Sequence, residues 1–198
     1  MLRGRTVTLR TIRPDELESV YRRITDINAK GPWWHLDLPS EAAFRREYAE
    51  NGCWGEREGR ILIVPNQSDD PAGPFDPPPI GELLYFKGLD YQSGVEIGYE
   101  LFDARHYGRG YMTEALSLFC AWLFSVRPFN RVQVNLMQGN TGSRRVAEKC
   151  GFRYEGTMRE ATFHRGRYHD LELFSLLRAE CPPLENLLDP SAASQEEA

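Results

Sequence analysis

One stretch, Gly94–Arg127, restricts what this chain can fold into more than any other. It opens Gly-Val-Glu-Ile-Gly-Tyr-Glu-Leu-Phe, where Val95, Ile97, Tyr99 and Leu101 alternate with Glu96, Gly98 and Glu100. A period of two predicts a half-buried strand in a mixed sheet. Asp-Ala-Arg-His-Tyr-Gly-Arg-Gly-Tyr-Met-Thr follows, a basic turn punctuated by Gly108 and Gly110. Glycines there let the backbone bend and approach a ligand closely. Ala115, Leu118, Phe119, Trp122 and Leu123 then recur at helical spacing. Strand, glycine turn and helix make an anion site, because the free N–H groups and the positive end of the helix dipole suit a phosphate. Arg105 and Arg109 add positive charge. The turn is expected to hold the diphosphate of a nucleotide-like cofactor.

The turn also narrows which cofactor. A Walker loop ends in Gly-Lys-Ser/Thr, which is absent. A dinucleotide fold wants a third glycine, and here Gly108 and Gly110 are followed by Thr113. A doubly buried central strand would read as a continuous apolar run, whereas this one alternates.

Arg105-x-x-Gly108-x-Gly110 resembles the R/Q-x-x-G-x-G/A acetyl-CoA pyrophosphate signature of the GNAT N-acetyltransferases. Downstream, Asn140-Thr-Gly-Ser143-Arg-Arg-Val-Ala-Glu-Lys-Cys-Gly151-Phe152 is similar to that superfamily's second motif, in the expected order. The Glu-Ile-Gly-Tyr before the turn and the spelling of the second motif resemble the ribosomal-protein alanine N-acetyltransferase branch. The resemblance runs from Leu9 to Arg178.

It implies a fold: an α/β (α+β mixed) GNAT domain, with one central, mostly antiparallel sheet that splays into a V and helices on both faces. It implies acetyl-CoA as donor and CoA as product. The cofactor would lie on Leu101 and Phe102, whose backbone pairs with the pantetheine arm, and on Arg105, His106, Gly108, Arg109, Gly110, Tyr111, Met112 and Thr113. Asn140, Ser143 and Arg144 of the second motif would complete that site. The acceptor side would involve Trp33, Trp34, His35, Glu82 and Tyr168. Trp33 and Trp34 have a second reading, in which one packs in the core and the other covers a helix end. Tyr168 has one as a surface loop residue.

Acetyl transfer to an amine needs a group that removes a proton, an oxyanion donor, and a fate for the leaving thiolate. Glu96 stands at the strand position where histone-acetylating relatives carry their catalytic glutamate. It acts as base directly or through water, or else it braces the pocket. The ribosomal-protein branch has a serine where Ser143 stands, and that resemblance implies a hydroxyl that binds or protonates the sulfur; Ser143 also reads as a helix N-cap, and the two roles are compatible. The tyrosine that many relatives carry seven residues after the motif asparagine is replaced by Ala147. No metal is expected, because the histidines lack companion ligands at metal spacing.

Hydrophobic content of 41% and charged content of 27% over 198 residues suit one globular domain, expected over residues 1–181. The Pro-rich stretch 65–79 is expected to be a loop insertion, and the acidic 182–198 a flexible tail. A net charge of −5 argues against a nucleic-acid partner. The longest apolar run, within Leu116–Val126, is too short to span a membrane. The N-terminal Met-Leu-Arg-Gly-Arg lacks a signal-peptide core, and the four scattered cysteines read as thiols of a cytoplasmic protein.

Further expectations concern secondary structure. Pro14 opens a helix that Gly31-Pro32 ends, and Ser40 caps a second helix that stops at Asn51-Gly52. Phe152–Met158 and Leu171–Leu177 are two last strands, joined by a loop around His164–His169. Partners would be acetyl-CoA and an amine, with the chain a monomer or homodimer. The acceptor is a protein N-terminal amine or a small amine such as an aminoacyl nucleotide, a polyamine or an antibiotic. A non-catalytic acyl-CoA-binding module is the other class. Transfer of a larger acyl group is a third.

Overall fold

The computed structural model describes residues 1–28, 30–36, 38–67, 77–88 and 93–190. Most of the 65–79 stretch (residues 68–76) therefore lies outside the described residues, as does the 191–198 end of the chain. In chain order the elements are β1 (Leu2–Arg3), β2 (Val7–Arg10), α1 (Leu17–Thr25), α2 (Glu41–Asn51), β3 (Glu58–Pro65), β4 (Gly81–Lys87) and β5 (Gly94–Leu101). They continue with α3 (Tyr111–Val126), β6 (Arg131–Met137), α4 (Thr141–Lys149), β7 (Arg153–His164) and β8 (Arg167–Leu177).

Among the described residues the strands form one sheet in the order β1-β2-β3-β4-β5-β6-β8-β7. Every neighbouring pair is antiparallel except β5 and β6, which run parallel. A parallel pair needs a crossover, and α3 supplies it. The β5–β6 ladder is short: it runs only from Gly94↔Arg131 to Glu96↔Gln133. Beyond those rungs both strands continue, β5 to Leu101 and β6 to Met137, without pairing to each other. This is the expected V.

Alternation decides what each sheet face covers. Val95, Ile97 and Tyr99 are buried with Leu83, Tyr85, Val132 and Val134 against α3, whose Leu116, Leu118, Phe119 and Leu123 are inaccessible to solvent. The opposite face meets α1 and α2, through Leu17, Val20, Ile24 and Phe44 around Leu62. Ser40 caps α2 by accepting the Ala43 N–H, and Gly52 ends it at φ 70°. All four cysteines are free thiols. Among the described residues no helix is long and apolar enough to cross a membrane.

Three expectations are corrected. The first helix ends at Thr25, with Asp26 extended, well before Gly31-Pro32. The loop around His164–His169 is instead a continuous hairpin, β7 and β8, closed by Arg165-Gly166. Both turn residues have positive φ, 48° and 85°, which is the type I′ geometry that matches strand twist. The segment after residue 181 does not fray at once: Leu184, Leu187 and Leu188 pack against the core, and the Asp189 N–H donates to the Arg3 carbonyl.

Candidate active site

A cleft of about 1150 Å³ runs through the V. One end is the glycine turn. Gly108 and Gly110 have φ of 74° and 86°, a left-handed conformation that glycine adopts without strain. Gly110 is the N-cap of α3, and Tyr111, Met112 and Thr113 of the first turn border the cleft. The α3 N–H groups and dipole therefore face it, as the sequence suggests. His106 is buried beside them, its ring 6.2 Å from that of Tyr111.

Arg105 and Arg109 do not border the cleft. Arg105 bonds His106 and pairs with Asp103 at 3.3 Å. Arg144 is also turned away. It pairs with Glu148 and Glu172 and lies over the rings of Tyr154 and Phe174. One residue is a turn of about 100° on a helix, so its neighbour Arg145 borders the cleft instead, with Lys149 one turn on. Helical phase was the signal that distinguishes the two arginines.

Along the V, the ladder fixes which backbone groups are open. The Phe102 N–H donates to the Ile80 carbonyl at 2.8 Å. Alternate residues of β5 therefore point to β4, and Ile97, Tyr99 and Leu101 point towards β6. The Glu96↔Gln133 rung uses the Ile97 N–H, and beyond it β5 has no partner strand, so the backbone groups of Tyr99 and Leu101 have no ladder partner on that side. The Phe102 N–H is taken up by Ile80, and the Phe102 ring lies under Arg23 at 5.5 Å.

The other wall is α4. Its N-cap is Asn140, whose side chain accepts the Ser143 N–H at 3.1 Å. The capping role considered for Ser143 thus belongs to Asn140, and Ser143 borders the cleft. The Tyr99 hydroxyl donates to the Ser143 carbonyl at 2.9 Å, tying β5 to α4 across the V. Burial pushes the Tyr99 phenol up, so it stays protonated as donor. Ala147 is fully buried.

At the apex, on the face opposite α3, stands Glu96. The Asn135 amide donates to its Oε2 at 2.7 Å and the Gln133 amide approaches the same oxygen at 3.4 Å. Among the described residues no hydrogen bond reaches Oε1. A second cleft of about 420 Å³ shares Phe86 and Glu96 with the first.

The same face of β5 carries Gly98 and Glu100. The Trp34 ring lies over Gly98, where an added Cβ would stand 3.7 Å from it. Trp33 reaches across to Gly139. The loop that bears them is held by the β7–β8 hairpin: His164 Nε2 bonds the Pro32 carbonyl at 2.9 Å and its ring meets His35 edge-on. Both tryptophans and His35 border the cleft, and neither tryptophan belongs to the buried core. Tyr168 does not. It is exposed at the hairpin tip against Phe163.

Glu82 is buried and ion-paired to Arg60. Directly across the ladder is Glu100, a residue the sequence reading passed over. Burial, reinforced by the Glu82 charge, pushes the Glu100 carboxyl up to about 7. Strand alternation already put Glu100 on the same face as Glu96; the cross-strand register with Glu82 was not legible.

The acetyltransferase (GNAT) domain model matches residues 6–153. The chain belongs to the GNAT family. It is 32% identical to an uncharacterized N-acetyltransferase, p20, of Bacillus licheniformis over 61% of this chain and 63% of that one. The chain spans less than two thirds of the length of such curated relatives. Among solved structures, a Vibrio cholerae spermidine N-acetyltransferase in complex with CoA and spermine superposes with a TM-score of 0.72, covering 88% of this chain and 96% of that one at 18% identity. RimL, a ribosomal L7/L12 alpha-N-protein acetyltransferase in complex with coenzyme A, gives 0.69 over 87% and 94% at 19% identity. At such identities the likeness concerns the GNAT fold alone.

Proposed function

We propose that this GNAT chain moves the acetyl group of acetyl-CoA to a primary amine, by direct attack in a ternary complex. The observation that carries the reading is the V, with an anion-binding turn at one end and a carboxylate with a free oxygen at its apex. The residues fit the donor. The Gly108–Gly110 cradle and the α3 N-terminus suit the diphosphate, Arg145 and Lys149 suit further phosphate charge, and the open β5 backbone suits the pantetheine amides.

In that arrangement the amine nitrogen attacks the thioester carbon from the Glu96 side. The C–N bond forms, Glu96 takes the nitrogen's proton directly or through one water, and the C–S bond breaks. The backbone N–H of Tyr99, which lies past the last rung, steadies the oxyanion. CoA leaves as a thiolate, which accepts a hydrogen bond or a proton from the Ser143 hydroxyl, with solvent restoring it. With Ala147 at the usual tyrosine position, Ser143 is the hydroxyl the second motif offers.

For the acceptor, the motif spelling supports a protein N-terminal amine of the ribosomal-protein type. Glu82, Glu96 and Glu100 along one wall, with Trp34 facing them, support a small polycationic amine as the second reading. Thiol release from acetyl-CoA against a panel of peptides, polyamines, aminoacyl adenylate analogues and aminoglycosides separates the two. Glu96→Gln is expected to lower kcat about 100-fold or more while leaving CoA affinity intact. Unchanged turnover would remove Glu96 from the mechanism, and no thiol release with any amine would sink the transferase reading in favour of an acyl-CoA-binding module.

A further inference from the structure

Asn135 is a β6 residue two positions past the last β5–β6 rung, where the strands part. Its amide nitrogen donates to Glu96 Oε2 at 2.7 Å. A carboxylate only accepts, so this bond fixes which way the amide is turned. The amide oxygen, Oδ1, is then shut away from water with no hydrogen-bond partner, although Asn135 borders the cleft. An unpaired buried acceptor is costly, and most such groups in native proteins are satisfied. Here the orphan sits beside the one carboxylate at the apex that keeps a free oxygen. The bonded pair thus leaves one unpaired acceptor on each residue, Glu96 Oε1 and Asn135 Oδ1, a set that matches a donor with two N–H groups on one nitrogen.

The geometry points to Asn135 as a catalytic residue that selects primary over secondary amines by accepting the second N–H of the attacking nitrogen. The inference rests on the acetyl-transfer reading above. A neutral primary amine has one lone pair and two N–H bonds. The lone pair forms the C–N bond, one proton passes to Glu96, and the C–S bond breaks to release the thiolate. The other hydrogen stays on nitrogen as the product amide N–H and bonds Oδ1 after a small side-chain shift. Asn135 gains and loses no proton. A secondary amine yields an amide with no N–H and leaves Oδ1 unpaired throughout.

The test is the ratio of kcat/KM for a primary amine to that for its N-methyl counterpart. The probes are an Ala-starting peptide against the same peptide starting with N-methylalanine, and 1,4-diaminobutane against its N,N′-dimethyl derivative. The wild-type ratio is expected to fall about 10- to 100-fold in Asn135→Leu, which keeps the branched side-chain shape but removes the acceptor, and in Asn135→Ala. CoA affinity, read by calorimetry, should stay within about twofold in both. Should the Leu variant fail to bind CoA, Asn135→Val takes its place. A ratio that is unchanged, or that relaxes only in the Ala variant where space has opened, overturns the inference while acetyl transfer stands. Absence of transfer to any amine by the wild-type chain overturns both.

Discussion

Glu100 shows how a single residue's neighbours decide its chemistry. From sequence it is one more polar position on an alternating strand. In the fold it faces Glu82, which Arg60 already neutralises, with Lys30 the other nearby cation. Its folded pKa of about 7 lies above its ordinary 4.5. The folded state thus binds the proton more tightly than the unfolded chain, so this contribution is full below pH 4.5 and is lost as pH rises through 7. Glu100→Gln should therefore stabilise the protein by about 1–3 kcal/mol at pH 8 and by little at pH 4.5, as read from urea melts at both. A second test at this scale separates adjacent arginines. Arg145→Ala is expected to weaken CoA binding about tenfold. Arg144→Ala should leave it within about twofold and cost about 1 kcal/mol of stability, its partners being the exposed Glu148 and the largely covered Glu172. The motif marks both arginines alike; only helical phase and the position of β8 tell them apart.

At the scale of elements, local chemistry was legible where one residue does the work. Ser40 and Gly52 bound α2 as N-cap and left-handed C-cap. Gly108 and Gly110 form the turn for the reason that glycine was expected there. Gly110→Ala should cost about 1–2 kcal/mol of stability, because an alanine at φ 86° is strained even though its Cβ would meet nothing. The same change should weaken CoA about tenfold by disturbing the α3 N-terminus, measurable by calorimetry. Where competition between elements decides, the sequence misled. The first helix stops at Thr25 because the following chain turns away to carry Trp33 and Trp34 over Gly98 and Gly139. The Arg165-Gly166 turn lets β7 and β8 run on into what reads as loop, since cross-strand pairing, not local hydrophobicity, sustains them.

For the whole molecule, the C-terminal segment is part of the fold as far as residue 190. A chain ending at 181 should be less stable than one ending at 190 by about 2–4 kcal/mol, because Leu184, Leu187 and Leu188 cover α3 and Asp189 ties to Arg3. Equal melting temperatures would show that this packing adds nothing. The acidic, Pro-containing composition hid three leucines whose partner surface lies far away in sequence. By itself the sequence determined the features that repeat along a strand or a helix turn: the alternating β5, the glycine cradle, the capped α2, and the two ordered motifs that identify the family. These rest on backbone preferences and periodicity, which a local stretch carries within it. Only the tertiary structure decided that β5 and β6 pair for three rungs and then part. It also set Asn135 against Glu96, placed Glu100 across from Glu82, and turned Arg144 away. Each of these is a contact between residues distant in the chain, set by register and helical phase.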